Sequence, residues 1–215
     1  MPVPVYLVDH AQGPVLVDTG LHPETMQRIG RLGDRMRCNL PHGDDVASRL
    51  TALGVAPSDL RCIVNTHVHF DHAGGNGLIP DSVEVVVQRA EWAAAHDAEG
   101  IRRNAYFPAD YDCGHDVREV EGRHDLFGDG EIVLMPTPGH TPGHQSILLS
   151  GDTLLVADAC YFADWLDTET SPPYGHDKEE ELRSLRTVRA MRDDGLRLVF
   201  GHDPREWASL PERVA

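Results

Sequence analysis

The chain has 215 residues, of which 40% are hydrophobic, 25% charged and 6% aromatic. That globular balance excludes a disordered chain, a collagen-like repeat and a small disulfide scaffold. Asp plus Glu total 35 against 19 for Lys plus Arg, a net charge of −16, which repels phosphate backbones and anionic lipid and so excludes nucleic acid and membrane as partners. Cys38, Cys62, Cys113 and Cys160 stand far apart without a C-x-x-C pair, as suits reduced thiols rather than bridges or a zinc knuckle. The apolar runs at 132–135 and 154–157 are too short to span a bilayer, and Met1 to Asp9 carries no basic leader. One cytoplasmic domain over residues 1–215 is the expectation. Histidine is the abnormal count, at 13.

In chain order, the β-rich runs Val3 to Val8 and Val15 to Val17 flank the turn-forming Ala11-Gln12-Gly13-Pro14 and predict a hairpin. Residues 22–37 have no clear period. The stretch 44–54 has acids in its first turn, apolar residues at 46, 50 and 53 and a closing Gly54, which predicts a helix. A strand follows at Leu60 to Thr66, then a loop with a short helix at Asp71 to Leu78, a strand at Val83 to Val87 and a helix at Arg89 to Asp97. From 117 onward strands dominate: Glu131 to Met135, then Gln145 to Leu149 and Thr153 to Val156, the last two joined by Ser150-Gly151-Asp152. Asp177 to Arg192 is the clearest helix. Its first turn holds Glu179, Glu180 and Glu181, its later turns Arg186, Arg189 and Arg192, its apolar stripe Leu182, Leu185, Val188 and Met191, and Gly195 closes it. Leu196 to Phe200 is a final strand. Alternating β and α followed by a second run of strands predicts an α/β chain with two half-sheets.

The chemistry concentrates in Asn65-Thr66-His67-Val68-His69-Phe70-Asp71-His72-Ala73-Gly74-Gly75-Asn76, directly after a strand. In extended backbone His67 and His69 project to one side, while Asp71 and His72 at the following turn aim at a second point a few ångströms away. Imidazole nitrogens with a carboxylate are the ligand set of zinc or a similar first-row ion, and paired ions sit about 3.5–4 Å apart. One such motif cannot saturate two ions. Further ligand types stand at strand ends: His140 or His144 in Thr-Pro-Gly-His-Thr-Pro-Gly-His, Asp158 after Leu154-Leu155-Val156-Ala157, and His202 after Leu198-Val199-Phe200-Gly201. His140 and His144 compete for one role.

These segments together resemble the metallo-β-lactamase superfamily, whose fold is an αββα sandwich of two mixed β-sheets flanked by helices. The resemblance spans nearly the whole chain. It implies that His67, His69 and His140 hold a first ion, that Asp71, His72 and His202 hold a second, and that Asp158 bridges them beside a hydroxide. It also implies that Asp18, in Val17-Asp18-Thr19-Gly20, orients ligand histidines. Within the superfamily, Thr-His-Val-His-Phe-Asp-His-Ala-Gly-Gly-Asn, the double Pro-Gly-His, Asp158-Ala159-Cys160-Tyr161 and Phe-Gly-His-Asp are most similar to the N-acyl-homoserine lactonases, the quorum-quenching branch. There a tyrosine three residues after the bridging aspartate reaches the substrate carbonyl, the position of Tyr161. That family usually has an N-terminal segment ahead of the strand that begins here at Val3. Residues 161–175, with Phe162, Trp165, Pro172, Pro173 and Tyr174, and Tyr106-Phe107-Pro108 are candidate cleft walls.

The expected activity is therefore metal-dependent hydrolysis of a lactone by a hydroxide between two divalent ions, most simply Zn²⁺, with Fe, Co or Mn accepted by the same ligands. Tyr161 polarises the carbonyl, and Asp71 or Asp158 moves the proton to the leaving alkoxide. No G-x-S-x-G elbow is present, and neither Cys62 beside Arg61 nor Cys113 near His115 forms a nucleophile motif. The rivals are another lactonase or esterase, a glyoxalase II-like thioesterase, whose basic glutathione-binding tail has little room after His202, and a metal-binding domain without turnover. Among macromolecules, only a second copy of the chain, as a homodimer, is admitted as a partner.

Overall fold

The computed structural model describes residues 1–210. Its strands are β1 (Tyr6–Val8), β2 (Val15–Val17), β3 (Cys62–Val64), β4 (Glu84–Gln88), β5 (Val117–Val120), β6 (His124–Asp125), β7 (Ile132–Pro136), β8 (Gln145–Leu149), β9 (Thr153–Leu155) and β10 (Arg197–Val199). Its helices are α1 (Thr25–Arg28), α2 (Val46–Ala52), α3 (Arg89–Ala95), α4 (Ala98–Asn104), α5 (Pro108–Tyr111), α6 (Ala163–Thr168), α7 (Lys178–Asp193) and α8 (Pro204–Trp207). Two compact units result, one from Val5–Val87 and Trp92–Glu119, the other from Met1–Pro4, Gln88–Glu91 and the chain from Val120 on.

The first sheet runs β1-β2-β3-β4-β5, with β1 antiparallel to β2 and β2, β3 and β4 mutually parallel. The hairpin expected at the start forms. Register aligns Leu16 with Ile63 and Ile63 with Val85, and these residues pack with Val46 and Leu50 of α2 and with Leu60, Ile79 and Val83 into one apolar core. Helix α2 starts where expected because Asp45 caps it, accepting from the Ser48 amide at 3.0 Å. A second core joins Val68, Ala73 and Val87 to Ala95, Tyr106 and Tyr111. The helix expected over 71–78 is instead a tight turn followed by a 3₁₀ turn at Asn76–Leu78; packing of Gly74 and Gly75 against neighbouring carbonyls dictates that path, as described below.

The second sheet runs β10-β9-β8-β7-β6, with β10 parallel to β9 and the other pairs antiparallel. Two mixed sheets with helices are therefore present, the fold class expected from the sequence. Its core joins Leu154, Val156, Leu198 and Phe200 to Leu166 of α6 and to Leu185 and Val188 of α7. Asp177 caps α7, accepting from the amides of Glu179 and Glu180. One detail departs from the expected stripe: the buried face of α7 is Glu181, Ser184, Leu185 and Val188, so Leu182 and Met191 are only partly covered. Rotation of the face toward Glu181 and Ser184 lets the Ser184 hydroxyl donate to the Pro138 carbonyl at 2.6 Å.

Strand direction alone gathers the polar residues. In the first sheet β2 and β3 are parallel and Val17 faces Val64, so Asp18 and Asn65-Thr66 leave the same edge side by side. In the second sheet β7 runs with β9, both being antiparallel to β8, and β10 is parallel to β9. Thr137 to His140, Asp158 and His202 thus all follow strand ends on one edge, the edge where sites in α/β sheets form.

Candidate metal centre

At the edge of the first sheet the chain turns at Asp18, whose backbone is left-handed with φ +58°. Aspartate tolerates that conformation better than most residues. The buried Asp18 carboxylate accepts from the Thr66 amide at 2.7 Å and the Thr66 hydroxyl at 2.8 Å, and lies 2.8 Å from His72 Nδ1. Thr19 fixes the same turn by donating from its amide and its hydroxyl to the His72 carbonyl. Asn76 Nδ2 donates to Asn65 Oδ1 at 2.9 Å. The double glycine of the motif has a packing reason: a Cβ on Gly74 would sit 2.2 Å from the Phe70 carbonyl oxygen, and one on Gly75 would sit 2.4 Å from that of Thr19.

The tautomers follow from these bonds. A carboxylate only accepts, so His72 carries its proton on Nδ1 and keeps a lone pair at Nε2. The Thr66 hydroxyl gives its single proton to Asp18, so at 3.1 Å it accepts from His67 Nδ1, and His67 Nε2 keeps a lone pair. His69 Nε2 donates to the Asn104 carbonyl at 2.8 Å, which leaves a lone pair at Nδ1. His67 Nε2 and His69 Nδ1 face each other at 3.0 Å. Two neutral acceptors at that distance repel, and a cation held by both converts the repulsion into coordination. Asp71 Oδ2 lies 3.9 Å from His72 Nε2, and its side chain is 20% exposed.

The edge of the second sheet holds a second cluster of its own. Ala157 takes a left-handed conformation, φ +49°, a cost of about 1–2 kcal/mol for a residue with a Cβ, and the buried Asp158 follows it. The Asp158 amide donates to His144 Nε2 at 3.0 Å, and His144 Nδ1 faces the Thr137 carbonyl at 3.0 Å. Both nitrogens of His144 thus serve the backbone. His140, by contrast, points at the carboxylate: Asp158 Oδ2 is 3.1 Å from His140 Nε2, and Oδ1 is 3.1 Å from His202 Nε2. His202 Nδ1 donates to the Pro2 carbonyl at 2.8 Å, which leaves the lone pair of Nε2 on the side of Asp158 Oδ1. Burial pushes the His140 imidazole down, but the Asp158 and Glu181 carboxylates outweigh it and hold it up at about 9. Imidazole nitrogens gathered with a carboxylate are the donors a first-row divalent ion takes. The residues fit such ions.

Tyr161 is buried, stacks on Trp165 with centroids 5.7 Å apart, and sets its ring edge-on against His202 at 4.8 Å and His140 at 5.8 Å. The Asp203 carboxylate accepts from the Ala163 amide at 3.1 Å, tying the start of α6 to the loop after β10. Of the other candidate cleft residues, Tyr106 is buried with its ring 5.5 Å from that of His69, whereas Tyr174 is exposed. Cysteine chemistry has no footing, since burial pushes the thiols of Cys62 and Cys160 up to about 11 and about 12. Sequence reasoning passed over Glu181, Glu91 and the backbone role of His144. Glu91 is fully buried and accepts from the Gly143 amide at 2.9 Å. In the sequence Glu181 reads as an ordinary first-turn acid of a helix, and Glu91 stands in the first turn of α3.

The model of the metallo-β-lactamase superfamily matches residues 1–202. The chain belongs to that superfamily. An N-acyl homoserine lactonase from a Bacillus species is 33% identical, over 94% of this chain and 82% of the relative. The N-acyl homoserine lactonase AttM of Azorhizobium caulinodans is 30% identical, over 98% and 85%. Among solved structures, an N-acyl homoserine lactone hydrolase with the product N-hexanoyl-L-homoserine bound at its catalytic metal centre superposes with a TM-score of 0.83 at 29% identity, covering 96% of this chain and 83% of that one. A quorum-quenching N-acyl homoserine lactone lactonase gives 0.82 at 31%, covering 96% and 82%.

Proposed function

We propose that the chain is a dinuclear metal-dependent hydrolase that opens a lactone ring, with N-acyl homoserine lactone as its substrate and quorum quenching as its role. The observation that carries the reading is the buried Asp158 carboxylate, which lies between His140 and His202 with one oxygen 3.1 Å from each, so that one carboxylate stands beside histidines that would hold different ions. In this reading His67, His69 and His140 hold one ion, Asp71, His72 and His202 the other, and Asp158 belongs to both; His144 is left out because its nitrogens are committed to the Asp158 amide and Thr137. Zinc suits this nitrogen-rich set. When bound, the ions activate water near neutral pH and polarise the lactone carbonyl.

The protein's own groups do the rest. Asp18, the Pro2 carbonyl and the Asn104 carbonyl hold His72, His202 and His69 in one tautomer each, so no imidazole reorients during turnover. The Tyr161 hydroxyl donates to the carbonyl oxygen, where charge grows as the ring opens. Asp71, the most exposed of the carboxylates in the set, carries the proton on its carboxylate oxygen to the leaving alkoxide and exchanges it with solvent. No helix among the described residues is long and apolar enough to cross a membrane, in keeping with action in the cytoplasm on a diffusible substrate.

A hydrolysis panel tests this reading. With metal-loaded protein, an N-acyl homoserine lactone should exceed a glutathione thioester and a β-lactam in kcat/KM. Thioester turnover about a hundredfold above lactone turnover, a difference of about 2.7 kcal/mol in transition-state binding, would sink it.

A further inference from the structure

Each of the other candidate histidine ligands has its second ring nitrogen on a fixed partner: His67 on the Thr66 hydroxyl, His69 on the Asn104 carbonyl, His72 on Asp18 and His202 on the Pro2 carbonyl. For His140 the group in that place is Glu181, whose Oε1 lies 3.8 Å from His140 Nδ1. Its side chain is 5% exposed, and Oε1 has no hydrogen-bond partner among the described residues. The other oxygen, Oε2, is anchored by Lys178 Nζ at 2.8 Å. Lys178 answers one oxygen of this buried carboxylate, and the other stays costly to bury unless a donor answers it as well. Helix α7 nevertheless turns Glu181 inward, against the apolar stripe its sequence favours.

Two contacts keep the carboxylate there. Ser184, one turn further along α7, docks the helix on Pro138, two residues before His140. Gly175 lies directly against Glu181, where a Cβ would come 2.2 Å from Oε1. Helix and loop together form a slot shaped around the carboxylate and opening on His140 Nδ1.

We propose that Glu181 is the positioning residue for His140, the carboxylate that takes the proton of Nδ1 as a hydrogen bond, turns Nε2 toward the ion and raises its donor strength. The inference rests on the two-metal reading and deepens it. A carboxylate behind a metal-bound histidine is typically worth 10- to 100-fold in metal affinity. Glu181 would thus tighten one of the two ions and not the other.

The test is chelator competition on the metal-loaded full chain, following zinc release to a chromophoric chelator. Glu181→Gln should release one ion at about 10- to 100-fold lower chelator concentration while the second ion leaves as in wild type. Gly175→Ala, which pushes the carboxylate out of its slot from the loop side, should give the same one-ion shift if Glu181→Gln does not fold. Val188→Ala loosens the packing of the same helix through its apolar core, on a residue that touches neither the slot nor His140, so it should lower the melting temperature and leave both affinities intact. The inference falls if folded Glu181→Gln and Gly175→Ala hold both ions as wild type does, or if Val188→Ala reproduces their loss. Wild-type protein that binds fewer than two ions would overturn the two-metal reading and this inference with it.

Discussion

Tyr161 and Asp158 are three residues apart and do different work. Tyr161 packs against His140 and His202 without being one of the proposed ligands. Tyr161→Phe should therefore lower kcat on the best lactone by about 10- to 1000-fold, as loss of one oxyanion donor does, with metal content unchanged by elemental analysis. Asp158→Ala should instead lower metal content, and added metal should restore part of its activity. Equal metal loss in both variants would erase the distinction. At this scale the His67 to His72 cluster was legible because its candidate ligands are contiguous. His140 and His144 were not separable by sequence, since each follows Pro-Gly; only the amide of Asp158 on His144 Nε2 tells them apart. Glu181 was illegible for a related reason, a first-turn acid being the common way to satisfy a helix N-terminus.

Among the elements, those with a strong period and a cap were legible. Helices α2 and α7 begin after Asp45 and Asp177, both of which accept amide bonds as caps, and the β8–β9 hairpin closes through Ser150-Gly151-Asp152 as its turn residues indicate. Helices α5, α6 and α8 have four to six residues, too few for a period to emerge, and tertiary packing decides them. The parallel pairing of β9 with β10 joins strands about forty residues apart in sequence, which local pattern cannot reveal. The turn after β3 depends on backbone crowding at Gly74. Gly74→Ala should cost about 1–3 kcal/mol, as overpacking does, a fall of roughly 4–8 °C in melting temperature at about 2 kcal/mol for a chain of this size, and should reduce bound metal. Gly54→Ala makes the comparison, since its Cβ meets nothing within 4 Å and only its φ of +78° resists it. It should cost about 1 kcal/mol and leave metal content intact. A Gly74→Ala protein as stable as wild type would refute the crowding argument.

For the whole molecule, the net charge of −16 bears on what enters and what leaves. A lactone is uncharged and gains nothing from a negative field, whereas the ring-opened acid is an anion that the field repels. Salt screens that repulsion over about 10 Å at 0.1 M. Lactone kcat/KM should accordingly change by less than about 2-fold between roughly 0.01 and 0.5 M salt, while inhibition by the ring-opened acid strengthens. A steep fall in lactone kcat/KM with salt would reveal electrostatic capture that the charge does not predict. In the proposed site seven side chains, His67, His69, Asp71, His72, His140, Asp158 and His202, hold two ions. Elemental analysis of metal per chain in carefully purified wild-type protein should give two divalent ions per chain, and one ion or none would overturn the dinuclear site.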